Sequence, residues 1–423
     1  MRGQAQSPSF CYLRPEEIES ANVLDHLQSP YSGQANLTST LETRAIAWAP
    51  DYSYFAWSCG NRKVQLVPWK TSTKPSNNNI NEKDEDTCQQ PRLLDCGEHV
   101  FALAFGASKN QQKAHKSVKV WTRFNFNGGL ILATGLQSGK IKLWNCSTGQ
   151  LLMELLDHKD VVRDLDFTVS GDLHLASASQ DGSIKLWDMH MDGNMYHTIR
   201  PKCHVVYGCH WSYKRKHLAC VGDSKCVMLY DAKDVESFSN EPRKLVGHHH
   251  NVVSCDFSKD GALLATASYD TRVIIWDTDT GDAICDLHHL FPPPRLIYAS
   301  GANDHFVRSV SFSCNTTHVV TVADDGYVRF WSLWHDGDPE SIAENHNALC
   351  CKYSPDGAMI AVGGRDGTVD FYSSPTTINS LQHLCRTNIR KHLTTQLVDY
   401  LNIPLRMKEF LKYKDLKKNS TVT

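Results

Sequence analysis

A histidine, a hydroxyl residue and an aspartate recur at near-constant spacing in two places: His158, Ser177 and Asp181 followed by Trp187, then His248, Thr266 and Asp270 followed by Trp276. An imidazole between a carboxylate and a hydroxyl is the constellation that activates an oxygen nucleophile in hydrolases. Catalysis needs one strained, unique arrangement in a cleft, whereas this set appears twice in one frame. Recurrence in register is what a repeating fold requires. The sets therefore read as structural tetrads in which carboxylate, imidazole, hydroxyl and indole N–H pass hydrogen bonds from a loop to the strands. Two other clusters invite chemistry, His248-His249-His250 and Cys350-Cys351. Successive side chains on an extended segment point apart, and one of the three imidazoles already belongs to a tetrad. No CxxC, Gly-rich phosphate loop or metal-ligand spacing occurs, so no catalytic residue, metal or cofactor is expected.

The elements that hold the tetrads repeat with them. Leu173–Asp188 and Leu263–Asp277 share an apolar strand, a tight turn at Asp and an alternating strand ending in Trp-Asp. This pattern resembles the WD repeat. Weaker copies end at Trp144, Tyr230, Trp331 and Tyr372, and a degenerate copy runs from Trp48 to Trp69, which makes seven units. Trp144 to Trp187 and Trp187 to Tyr230 are each 43 residues, and Trp331 to Tyr372 is 41; WD repeats run about 40–45. Alternation such as Val162, Leu165 and Phe167 against polar neighbours suits a half-buried antiparallel sheet. One such sheet cannot bury its faces alone, and radial stacking of seven solves the problem. The fold class expected is all-β: a seven-bladed WD-repeat β-propeller followed by a small α-helical element.

Residues 41–373 are assigned to the propeller, with insertions near 71–90, 108–127 and 290–303. The last of these contains Phe291-Pro-Pro-Pro294 and continues to Ile297, a candidate partner-binding lip. Residues 1–40 form an N-terminal arm. The strand that closes the ring is expected within 31–42. Where Ser138 and Ser224 stand for Asp, and Tyr230 and Tyr372 for Trp, the tetrad has lost members.

Composition limits the function. The 423 residues carry 44 Lys and Arg against 46 Asp and Glu, a net charge of −2, without the basic stripe of a nucleic-acid binder. No run approaches the ~18 apolar residues of a membrane span, and the polar start shows no signal peptide. The 15 cysteines sit mostly as single residues in apolar strands, as do Cys209, Cys220, Cys255 and Cys285. Free buried thiols suit a reducing compartment, so an intracellular protein of cytoplasm or nucleus is expected.

After Tyr372 the period changes. Leu381, Cys385 and Ile389 are four residues apart, on one helical face, with Ser380 as N-cap and Leu384 and Leu393 widening that face. Downstream, Leu401-Asn402-Ile403-Pro404 precedes Leu405, Met407, Phe410, Leu411 and Tyr413. Pro404 suits the start of a helix, whose apolar stripe would be Ile403, Met407, Phe410 and Leu411. Lys408, Lys412, Lys414, Lys417 and Lys418 read as a solvated basic tail, flexible over 414–423.

The segment 377–413 resembles a SOCS box, and repeats followed by such a box resemble the WD-repeat and SOCS-box-containing protein family over residues 41–413. That resemblance implies binding of elongin C, and with it elongin B, through Leu381, Leu384, Cys385 and Ile389. It implies cullin binding through Leu401, Ile403, Pro404 and Leu405, with a RING subunit reached through the cullin. The Leu-Pro-aliphatic-Pro stretch of such boxes steers toward cullin-5 rather than cullin-2, but Asn402 stands where its first proline belongs. The implied role is substrate recognition in a ubiquitin ligase, the chemistry being left to partners; a scaffold without ligase function is the alternative. A different cullin system recruits propellers through WDxR, and Trp187-Asp-Met-His and Trp276-Asp-Thr-Asp lack that Arg. A protein substrate would bind at one mouth of the propeller, near Arg163, Tyr269, Arg308 and Arg365, residue types favoured at interfaces.

Overall fold

A computed structural model describes residues 19–32, 41–69, 90–108, 129–169, 171–189, 192–213, 217–232, 241–289, 306–334, 338–375 and 380–419. The three expected insertions lie outside the described residues except at Gln90 and Ser108.

Seven antiparallel sheets follow one another around a channel, each with its first strand innermost. Blade 3 is representative, with Val162–Phe167 inside, then His174–Ser179, Ile184–Asp188 and Asn194–Ile199 outermost. Its second strand is buried at every position because neighbouring blades cover both faces. Ala102, Ala133 and Leu143 of blade 2 pack on Val162, Leu165 and Phe167 of blade 3, and Trp187 closes the layer. Gly182 turns the central hairpin at φ +74°, and a Cβ there would come within 2.8 Å of the Cys203 carbonyl oxygen. An L side chain is strained in that region and has no space besides.

Ring closure departs from expectation. The strand that completes blade 7 is Val23–Gln28, paired antiparallel with Thr368–Ser373, not a segment within 31–42. Just upstream, Glu19–Ser20 adds a fifth, parallel strand to blade 6 at Ser341–Ile342. The N-terminal arm thus ties the last two blades before Ile46–Trp48 opens the first.

The inner strands share an irregularity. In blades 2 to 7 the register shifts at the second residue, leaving Phe101, Arg163, Tyr207, Val253, Arg308 and Leu349 as bulges. A β-bulge re-aims a side chain, and all six line the channel, which encloses about 600 Å³.

After blade 7 come three helices, α1 (Leu381–Arg390), α2 (Thr395–Asp399) and α3 (Leu405–Leu411), then a 3-10 turn, Lys414–Asn419. They lie beneath blades 5 and 6, on the end of the ring opposite the tetrad loops.

Candidate functional site

The tetrads form as their spacing implies. His158 contacts Asp181 Oδ2 through Nδ1 at 2.8 Å and Ser177 Oγ through Nε2 at 2.7 Å, and Trp187 Nε1 donates to the same Oγ at 2.9 Å. In blade 5 the corresponding distances are 2.9, 2.8 and 2.8 Å, with Thr266 as hydroxyl. Ser177 and Thr266 are inaccessible to solvent, so neither can reach a substrate. Burial pushes the Asp270 carboxyl up, but the hydrogen bond and charge of His248, the His249 N–H and Arg272 outweigh it and hold the pKa at about 2. Asp181 is likewise held well below the usual carboxylate range: burial opposes the shift, while His158 and Ser183 enforce it.

Two further relays were not legible beforehand. In blade 6, His289 bonds Thr321 at 3.0 Å and Trp331 donates to that hydroxyl at 2.8 Å, while Arg329 stands between His289 and Asp325. The 290–305 stretch separates His289 from its partners in sequence. In blade 7, Asn345 donates to Asp370 and to the Tyr372 hydroxyl at 2.8 and 3.2 Å, a substitute for the missing His and Trp.

The C-terminal helices are built in the reverse sense. Ser380 caps α1 by accepting from the His383 N–H at 3.2 Å. The face turned to the propeller is polar: His383, Arg386 and Arg390 are buried. His383 Nε2 reaches the Asn315 carbonyl at 2.6 Å. The Arg386 guanidinium, 0% exposed as a side chain, lies 3.4 Å from the Phe410 ring centroid, 4.6 Å from Tyr413 and 4.7 Å from Trp334, and donates to Asp415 at 2.6 Å. A desolvated cation over aromatic faces is held by the ring quadrupoles as well as by its counter-ion. Arg390 donates to Asp279 and Thr395 at 3.1 and 2.8 Å, and Thr395 Oγ1 donates to Asp277, the Asp of a Trp-Asp pair, at 2.8 Å. Tyr413 donates to Asp260 at 2.5 Å.

The opposite face of α1 carries the apolar residues. Leu381 is 77% exposed, Leu384 50% and Ile389 38%, and Cys385 is exposed beside them. Farther on, Leu405 and Met407 are exposed, as is Pro404, which precedes α3 directly; Leu401 and Ile403 are half-buried. Three expectations need correction. Leu393 does not extend the α1 face but turns toward the propeller beside Arg390, Asp260 and Asp279. The stripe of α3 splits, because Phe410 and Leu411 turn inward to Arg386 and the core while Met407 stays out. The basic stretch is not simply solvated: Lys408 and Lys412 both reach Asp399, and Leu416 packs on the blade 5–6 core.

Sequence comparisons decide what this arrangement belongs to. A family model described as SOCS box matches residues 378–412, and one described as WD domain, G-beta repeat matches 149–188, 239–277, 291–332 and 337–373. The human WD repeat and SOCS box-containing protein 1 is 47% identical over 390 residues, 88% of this chain and 91% of that protein. The chain belongs to the WD repeat and SOCS box-containing protein family. Its relative of the same name from Danio rerio is 44% identical over 424 residues, 96% of this chain and 98% of that one. A guanine nucleotide-binding protein subunit beta from Zea mays is 29% identical over 196 residues, 43% of this chain and 47% of that one. The combination of repeats and box supports the role of a substrate-receptor adaptor. No helix among the described residues is long and apolar enough to cross a membrane.

At the other end of this family member, three of the four mouth residues are linked, Tyr269 to Arg308 directly and Arg308 to Arg365 through Asp324. Arg308 forks onto Asp324 with its Nε at 2.9 Å and Nη2 at 2.6 Å, and its Nη1 donates to Tyr269 Oη at 3.0 Å. Arg365 donates to the same Asp324 at 2.8 Å. Arg163 stands apart, bonded to Gln180 at 2.8 Å and stacked on Phe101 at 5.2 Å.

Proposed function

We propose that this protein is the substrate-recognition subunit of an elongin B/C–cullin–RING E3 ubiquitin ligase, non-catalytic itself, working inside the cell in cytoplasm or nucleus. The observation that carries the reading is the orientation of α1. A helix that served only to dock on its own propeller would bury Leu381, Leu384, Cys385 and Ile389; instead these are exposed, and Arg386 and Arg390 fill the interface. An apolar stripe with a small Cys at its centre suits close approach by another backbone, here that of elongin C. Leu401, Ile403, Pro404 and Leu405 supply the cullin contact, with cullin-5 ahead of cullin-2, and the RING subunit follows through the cullin. The propeller holds a protein substrate at the mouth bearing Arg163, Tyr269, Arg308 and Arg365. Its contribution to ubiquitin transfer is proximity, raising the effective concentration of substrate lysines near the conjugating enzyme.

Co-purification with recombinant elongins B and C tests this. The wild type should form a stoichiometric complex, and Leu381→Asp with Cys385→Arg should lose it while keeping the wild-type melting temperature. A wild-type chain that is folded yet binds neither elongin would overturn the reading and leave an interaction scaffold.

A further inference from the structure

We infer that the channel mouth and the groove running outward from it between blades 1 and 2 bind an extended, carboxylate-rich segment of a protein partner. This rests on the reading of the propeller as the substrate-binding part and names the chemistry of what it takes.

The bulged ring provides the first observation. Phe101 is flanked by two guanidiniums, Arg163 at 5.2 Å and Arg44 at 4.9 Å from its centroid. Arg44 pairs with Glu42. Arg163 pairs with no carboxylate among the described residues: its Nη2 has the neutral Gln180 amide oxygen, and its Nε is buried without a partner. A half-buried guanidinium fixed on an aromatic ring with donors unspent is preorganised for a carboxylate fork.

The second observation is the shape and charge of what adjoins it. A groove of about 210 Å³ begins at Arg44 and Phe101 and continues past Arg62, Lys63 and His99 to the rim. Glu42 is the sole carboxylate among its described lining residues. Arg44, Arg62 and Lys63 thus set three cations against one acid along the groove, and Arg163 stands in the channel at its inner end, a path that suits an extended chain better than a compact ligand. Across the mouth, Arg308 and Arg365 share Asp324, two cations on one acid, so the larger excess of positive charge lies on the blade 1–2 side.

Deeper in the channel the charge is met internally. Asp164, Asp166 and Asp256 accept from the backbone N–H groups of Cys209, Trp211 and Phe312 at 3.0, 2.7 and 2.8 Å. His210 lies between Asp164 and Asp166, and Lys352 is drawn toward the same acids. An incoming carboxylate would meet these acids below the ring, so the acidic segment lies across the mouth and does not thread the channel.

The test is selection of a random 12-residue peptide phage library on the full-length chain, with the winners resynthesised. The expected pool is enriched in Asp and Glu, and affinity falls as salt rises from about 50 to 300 mM. Arg163→Gln, and separately Arg62→Glu with Lys63→Glu, should each weaken binding at least about tenfold, since one charge-assisted hydrogen bond carries about that factor. Lys244→Glu, exposed on blade 4, should leave it unchanged. The rim pair keeps the test decisive should Arg163→Gln fold poorly. A pool without acidic preference, the absence of any enriched peptide, or winners that bind the rim variant as tightly as wild type would overturn the inference. Elongin co-purification on the same proteins separates the two readings: retained elongin binding with no acidic selection sinks only this one.

Discussion

The blades and the box of this protein bury opposite kinds of residue. Between blades, alanine, valine and leucine fill the layers, and the tetrad hydroxyls that go inside, such as Thr266, have their hydrogen bonds met within one sheet. In the box, Arg386, Arg390 and His383 go inside while leucines stay out. Burying a guanidinium is unfavourable unless it is paired, and here three rings and a carboxylate surround it. The lesson is that a docked helix need not spend its apolar face on docking. A polar clamp fixes the box to blades 5 and 6 and leaves the apolar face for a different chain.

The strongest way to break this contrast is to remove the clamp. Arg386→Ala leaves Asp415 without its counter-ion and a void among three rings, and should loosen the box by about 3 kcal/mol. Hydrogen exchange over 380–416 would rise while the inner strands keep their protection; unchanged exchange in the box would show that the helices dock by other means. The blade side is tested by Thr266→Val. It removes the acceptor for Trp276 and the partner of His248 inside a dry sheet, and should lower unfolding stability in urea by about 2–3 kcal/mol; a change near zero would reduce the tetrad to decoration.

Acid sharpens the contrast further. Asp270 is depressed from 3.8 to about 2 in the fold, so its contribution is full above pH 4 and fades as pH falls through 2, about 2 kcal/mol in all. Asp270→Asn should flatten that part of the stability profile, and an unaltered profile would contradict the assignment. The smallest effect is expected from Leu384→Ser. Because that side chain is half exposed, stability should move by no more than about 0.5 kcal/mol while elongin binding weakens. A large loss of stability would mean that the face is structural after all.

Much of this was legible in the chain. The Trp-Asp frame and its spacing indicate seven units, and the His158 and His248 tetrads form as written because their members are local to one blade. The α1 face was also legible, since period and N-cap agree. The closing strand was not: Val23–Gln28 is exposed on both sides over most of its length, so no core-facing alternation marks it. Nothing in the sequence marked Arg386 and Arg390 as buried, because what surrounds them, Trp334, Asp279 and Asp415, is distant in sequence or lies in the segment that reads as a tail. The ring of bulges was invisible for a related reason. A bulge is a property of two paired strands, and a single strand's alternation carries only a trace of it.

The pairing of Val23 with Tyr372 spans 349 residues. At about 5–20 residues per second, ribosomal synthesis separates those two residues by roughly 15–70 s. Throughout that interval the nascent ring has two unpaired sheet edges, one waiting on blade 6 and one on blade 7, and nothing local can satisfy either. Folding of this chain is therefore a problem of custody as much as of stability. A stall anywhere before the seventh blade leaves a product that cannot close.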